Sequence, residues 1–204
     1  SKAPLTLALT AGPNPSIWAQ TVTLTATAGN PTATGTVTFK DSLATIGTAP
    51  LLGGVATLFK SNLAPGNHTA LTASLPAGAC FLATTAPATS QLVYRAPTSV
   101  SMTTNINPSS FGQMIRLTAT VSPVGGVNRV SFYDAGNLIG TAGVSALTGL
   151  ATLNISNMVP GKHELTVTYA GDVHFEPSVS AANYSQVVDL APSSVVLSSD
   201  VNPS

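Results

Sequence analysis

The sequence repeats itself with a period of 93 to 95 residues. Ala3-Pro4 returns as Ala96-Pro97 and Ala191-Pro192, and Asn14-Pro15-Ser16 returns as Asn107-Pro108-Ser109 and Asn202-Pro203-Ser204. Between these marks Gln20 and Leu24-Thr25-Ala26-Thr27 match Gln113 and Leu117-Thr118-Ala119-Thr120, while Phe39 and Asp41 match Phe132 and Asp134. Gly47-Thr48, Ala56-Thr57-Leu58 and Pro65-Gly66-Asn67-His68 recur as Gly140-Thr141, Ala151-Thr152-Leu153 and Pro160-Gly161-Lys162-His163. A unit of this length is too long for a solenoid repeat, which must stack on its neighbours to bury a core, and is the size of a domain that buries its own. The chain therefore divides into a first repeat at residues 1–95, a second at 96–190 and a stub at 191–204. In the stub, Val195 and Leu197 stand where Val100 and Met102 stand in the second copy and Leu7 and Leu9 in the first. The stub is thus expected to be the opening strand of a third repeat in a longer natural chain.

Within each copy the apolar residues alternate. In Thr21-Val22-Thr23-Leu24-Thr25-Ala26-Thr27, Val22, Leu24 and Ala26 share one face and the threonines the other, as a half-buried strand requires. Ile115, Leu117, Ala119 and Val121 repeat the pattern. Val37 with Phe39, Val130 with Phe132, Ala56 with Leu58, and Ala151 with Leu153 and Ile155 mark further strands. Turn signals such as Asp134-Ala135-Gly136-Asn137 and Pro160-Gly161 separate them at intervals too short for crossover helices. The spacing predicts about seven strands per copy and no helix longer than a turn or two.

Composition narrows the function classes. Charged residues make up 7% of the chain, against about 25% in an ordinary soluble domain. The 28 Thr and 22 Ser supply the polar surface with hydroxyls instead. A net charge of +0 leaves no basic stripe for phosphates, so nucleic acid is excluded as a partner. No apolar run approaches the roughly 18 residues of a spanning helix, so no membrane span is expected in this segment. The single Cys80 makes no internal disulfide and no clustered ligand set suggests zinc, so neither a metal nor another cofactor is expected. No secretion signal opens the chain at Ser1-Lys2-Ala3-Pro4; either one was removed or the chain is an interior fragment.

Seven short antiparallel strands in such a repeat imply an all-β chain of tandem immunoglobulin-like seven-stranded β-sandwiches without disulfide. The carrying motifs are Asn-Pro-Ser followed by Gln and the Leu-Thr-Ala-Thr strand, Val130-Ser131-Phe132-Tyr133-Asp134, Pro160-Gly161-Lys162-His163, and Tyr169-Ala170-Gly171-Asp172 with Phe175. In these the chain resembles the tandem bacterial immunoglobulin-like repeats of large cell-surface and secreted proteins. The resemblance is closer in the second copy. In the first, Leu75-Pro76-Ala77-Gly78 replaces the Tyr-Ala-Gly-Asp segment, so Asp172 has no counterpart there.

The site-like residues have structural explanations. His68 and His163 both follow Pro-Gly at a strand entry. A catalytic group needs one asymmetric constellation, whereas a residue present in every copy normally serves each copy's fold. An imidazole bonded to a turn carbonyl is expected at both. Asp41 and Asp134 precede turns and are expected to accept backbone N–H groups two residues on. His174 lies near Asp172 and Glu176, too few acids for calcium. No Gly-x-Ser-x-Gly elbow or paired carboxylates appear, so no catalytic residue is assigned and no enzyme activity is expected. Trp18 aligns with Phe111 and is expected to cap the sandwich end. Asn67, Asn154 and Asn183 head Asn-x-Ser/Thr sequons, which arise readily by chance in so Thr-rich and Ser-rich a chain.

These expectations point to spacing rather than chemistry. Only Arg95-Ala96-Pro97 separates the last strand of one copy from the first of the next, a Pro-stiffened link suited to a stalk or fibre on an extracellular or cell-surface protein. Its expected partners are neighbouring repeats of the same chain or other copies of itself. A second reading is a self-assembling extracellular filament, with Val195, Val196 and Leu197 donated as a strand to another molecule. Cys80, in a loop outside the repeated core positions, is expected to be a small, partly buried side chain, with an intermolecular disulfide as the sharper alternative. A third reading is a carbohydrate-binding module of a secreted enzyme, with surface glycans as partners and Trp18, Tyr94, Phe111 and Tyr133 as the aromatics to watch.

Overall fold

In the computed structural model of the chain, which describes residues 2–181 and 183–198, every regular element is a strand. The Asn202-Pro203-Ser204 copy of the repeat mark lies outside the described residues. Among those described, no helix is long and apolar enough to cross a membrane. The chain forms two compact units, Ser1–Ala96 with Val173–Phe175, and Pro97–Asp172 with Glu176–Ser204.

The first unit contains β1 (Leu7–Gly12), β2 (Ser16–Ile17), β3 (Val22–Ala28), β4 (Gly35–Asp41), β5 (Ala44–Leu51), β6 (Val55–Lys60), β7 (Gly66–Leu75), β8 (Thr84–Thr85) and β9 (Thr89–Tyr94). One sheet has the order β1-β3-β6, the other β2-β9-β7-β4-β5 with β8 paired to β7. Neighbours are antiparallel except β2 and β9, which run parallel. The second unit repeats this plan with β10 (Ser99–Thr104), β11 (Ser109–Ser110), β12 (Ile115–Ser122), β13 (Arg129–Asp134), β14 (Asn137–Gly143), β15 (Leu150–Ile155), β16 (Gly161–Tyr169), β17 (Ser178–Val179) and β18 (Tyr184–Asp189). Its sheets are β10-β12-β15 and β11-β18-β16-β13-β14, with β17 on β16.

Nine strands per unit rather than about seven reflect two broken strands. The first strand leaves one sheet at β1 and joins the other at β2, across Pro13-Asn14-Pro15, where proline nitrogens cannot continue a ladder. The last strand breaks between β8 and β9, where Pro87 lies. Counted as wholes, the elements are the seven strands of an immunoglobulin-like sandwich.

Alternation puts the core where the sequence places it. In β3 the burial pattern has Val22, Leu24, Ala26 and Ala28 inside, packed with Val37, Phe39 and Leu71. The second unit buries Leu117, Val130, Phe132, Leu165, Val167 and Tyr169 to 1% exposure or less. Each such large apolar side chain contributes about 1.5–3 kcal/mol by leaving water, which lets a sandwich stand without a disulfide. The outward face of the smaller sheet carries hydroxyls in ranks. Thr25 lies in register with Thr10 and Thr57, and Thr118 with Thr103 and Thr152.

The described part of the stub forms no strand, and Val195, Val196 and Leu197 are 95%, 89% and 95% exposed. Val100 and Met102, which hold the matching positions in β10, are buried.

Candidate functional site

The residues that mark the repeat converge on two polar clusters in each unit. The first is the crossover between the broken halves of the opening strand. Asn14 extends its side chain as a substitute peptide: Nδ2 donates to Ser90 O at 3.0 Å and Oδ1 accepts from Leu92 N at 3.0 Å. Asn107 does the same to Ser185 O at 2.7 Å and Val187 N at 2.9 Å. Gln20 Oε1 accepts from Ile17 N, and Gln113 Oε1 from Ser110 N, both at 3.0 Å. Beneath them Gln91 and Gln186 are fully buried. Gln91 Nε2 donates to Pro13 O, Ser16 Oγ and Leu92 O; Gln186 Nε2 donates to Ser109 Oγ and Val187 O. Their Oε1 atoms are buried without a hydrogen-bond partner in both units.

The second cluster is built on the histidines. In the second unit a two-residue turn with φ of 44° at Ala135 and 83° at Gly136 reverses the chain after β13 and leaves Asp134 at the strand end. His163, third in β16, places Nδ1 2.6 Å from Asp134 Oδ2 and Nε2 2.8 Å from Val159 O. Burial pulls the His163 pKa down, but the Val159 carbonyl and then the hydrogen bond and charge of Asp134 outweigh it, raising the pKa above the usual 6.5. In the first unit His68 makes the same contacts, to Asp41 Oδ2 at 2.6 Å and Ala64 O at 2.8 Å. The second-unit cluster floors an open cavity of about 370 Å³, lined also by Leu138, Ile139, Ile155, Asn157 and Met158.

The expected bond from each histidine to a turn carbonyl is thus present, and the aspartates have a different role from the one expected. Their carboxylates take the imidazole N–H rather than local backbone N–H groups, because the tight turn aims them across the hairpin toward the histidine strand. Sequence reasoning missed this pairing, since the partners lie 27 and 29 residues apart. The available signal was that both members repeat.

The remaining site-like residues do not converge. Asp172 Oδ2 accepts from Val127 N at 2.9 Å and from Tyr169 O–H at 3.3 Å. Burial first, and then the Asp172 charge and hydrogen bond, push the Tyr169 pKa up to about 12. Among the described residues no three His, Cys, Asp or Glu side chains are grouped to hold a metal ion, the Asp172, His174 and Glu176 stretch included. Cys80 is exposed rather than partly buried, because it lies in the irregular segment between β7 and β8 and not on an inward strand face; its carbonyl accepts from Ala3 N as that of His174 accepts from Ala96 N, both at 2.8 Å. Trp18 is half-buried, its ring 3.9 Å from that of His174 and inclined by 15°, both within the first unit. Tyr94 and Phe111 are about half exposed, and Tyr133 is half-buried. Asn67, Asn154 and Asn183 are exposed.

Two disulfide-free sandwiches, each with the same polar clusters, define a tandem immunoglobulin-like protein. Its repeats match the family model of the bacterial Ig-like domain (group 3) at residues 9–94 and 102–188, and the chain belongs to that family. No curated protein matches it. Among solved structures it is similar to the fibronectin(III)-like modules of Clostridium thermocellum CbhA, with 19% identity, 90% of this chain and 94% of that one covered, and a TM-score of 0.39. The human OSCAR ligand-binding domain is 13% identical, with coverage of 91% and 98% and a TM-score of 0.35. Murine CEACAM1b is 12% identical, with coverage of 91% and 100% and a TM-score of 0.35. None of these three likenesses carries an argument about function.

Proposed function

We propose that this chain is a spacer: structural immunoglobulin-like modules in the stalk or fibre of an extracellular bacterial surface protein, without chemistry of their own. The observation that carries this reading is the use to which the repeated polar residues are put. Asn14, Gln20, His68, Gln91 and their counterparts Asn107, Gln113, His163 and Gln186 each bond within their own repeat. A group serving catalysis would be found once, with its nucleophile or base beside it. Faces of Thr and Ser in place of charges suit a protein exposed to media of varying ionic strength, since screening has little to act on.

The test places one, two or three copies of the chain between a cell-surface anchor and an epitope. A spacer predicts that epitope reach grows by a constant increment per copy, and that another two-domain immunoglobulin-like segment of equal length substitutes fully. Loss of function on such a swap, or specific binding by the chain to a glycan array, would overturn it.

A second reading, the filament, draws on the nearly complete exposure of Val195, Val196 and Leu197, the first and last of which stand in the register of the buried Val100 and Met102. It predicts that the chain forms regular polymers under negative-stain electron microscopy and that Val195→Asp with Leu197→Asp abolishes them.

A further inference from the structure

His163 sits between two acceptors. Its Nδ1 faces a carboxylate oxygen of Asp134 at 2.6 Å and its Nε2 faces the Val159 carbonyl at 2.8 Å. A carbonyl never donates, and a carboxyl gives up its proton about 2.5 pH units below an imidazole. Both contacts are therefore hydrogen bonds together only when both ring nitrogens carry protons, as they do in imidazolium.

We propose that His163 is a protonated staple joining the loop between β15 and β16 to the turn between β13 and β14, and that its deprotonation unfastens the loop. His68 stands in the same geometry between Asp41 and Ala64 in the first unit.

The surroundings leave Asp134 as the controlling charge. The loop residues Ser156, Asn157, Met158, Val159 and Pro160 carry no ionisable group, and neither do Leu138 and Ile139 of β14 or Ile155 of β15. On β18 the residue opposite His163 is the neutral Gln186. Lys162 and Glu164 flank His163 along β16, where alternation puts them on the other face, and they pair with each other at 2.7 Å. The cavity beside the staple opens to solvent, so the ring exchanges protons without the repeat unfolding.

Loss of one proton leaves one donor for two acceptors. The charge-assisted bond to Asp134 is the stronger and keeps it. The Nε2 lone pair then opposes the Val159 carbonyl, and the loop that buries Met158 moves away. Because the folded pKa lies above the unfolded value of 6.5, the stabilisation is fully present below about pH 6.5 and is lost as pH rises through the folded value.

The test is nitrogen-detected NMR of the intact chain from pH 5 to 9, with His163 assigned by comparison with His163→Gln. The expected result is an imidazolium at His163 persisting above pH 6.5, with the amide signals of Asn157, Met158 and Val159 shifting along the same titration. Denaturant unfolding followed through the amides of β13 and β16 should show the unfolding constant rising about tenfold per unit by which the folded pKa exceeds the unfolded one. His163→Gln and Asp134→Asn should each remove that rise. A His163 midpoint at or below 6.5, or a variant that keeps the wild-type pH dependence, would overturn the proposal. If neither variant folds, the wild-type titration decides alone.

Discussion

Replacing Gly149 with alanine isolates how tightly the second unit closes the loop before β15. Gly149 has φ of +69°, and a Cβ there would lie 2.3 Å from Val121 O and 3.4 Å from Val124 Cγ1. Its own carbonyl accepts the Val121 N–H at 2.8 Å, capping the end of β12. The left-handed conformation costs an L-residue about 1–2 kcal/mol. Relieving the clash means separating Gly149 from Val121, which forfeits a hydrogen bond worth about 1 kcal/mol. The sum is about 2–3 kcal/mol, or about 10–20 °C in the melting temperature of a unit this size. Gly112→Ala is the internal control: φ is +81°, but nothing lies within 4 Å of the added methyl, so only the backbone strain of about 1–2 kcal/mol applies. Calorimetry of both variants in the intact chain gives the comparison. Equal losses would refute the reasoning, because the clash with Val121 would then contribute nothing.

Other substitutions probe the polar clusters. Asn107→Ala removes both bonds to β18 and should cost about 2 kcal/mol in urea unfolding. Gln186→Glu places a carboxylate where an N–H donor meets Ser109 Oγ and Val187 O; it should cost more than about 3 kcal/mol at neutral pH. Acid should recover part of that loss, since the protonated carboxyl donates again. Tyr169→Phe should delete from the ultraviolet titration a phenol ionising at about pH 12; the stability tied to that group is present below pH 10 and falls as pH rises through 12. A difference spectrum with its midpoint near 10 would contradict the burial assigned to it.

The fold was legible because the hydrophobic effect writes it with a period of two. Val22, Leu24 and Ala26 alternate with threonines, and the repeat supplied a second independent copy of every strand. The family resemblance rested on the same marks, and the match at 9–94 and 102–188 bears it out. The polar clusters were less legible, because they depend on long-range register. Gln91 shares a strand face with Val93, yet a glutamine reads as solvent-facing until Ser16 and Pro13 are known to lie beside it. Asp41 reads as a turn residue because its histidine partner is three strands away in the chain but adjacent in the sheet, where β4 and β7 pair. The break between β1 and β2 was announced by Pro13-Asn14-Pro15, but only the parallel pairing of β2 with β9 shows that the strand changes sheets.

The repeated polar residues serve each repeat's own fold. Amide hydrogen exchange on the intact chain carrying Asn14→Ala or Asn107→Ala tests this most directly. Protection should be lost only within β1 through β9 for the first substitution and only within β10 through β18 for the second. Protection lost equally in both repeats, or in neither while a binding activity disappears, would contradict it.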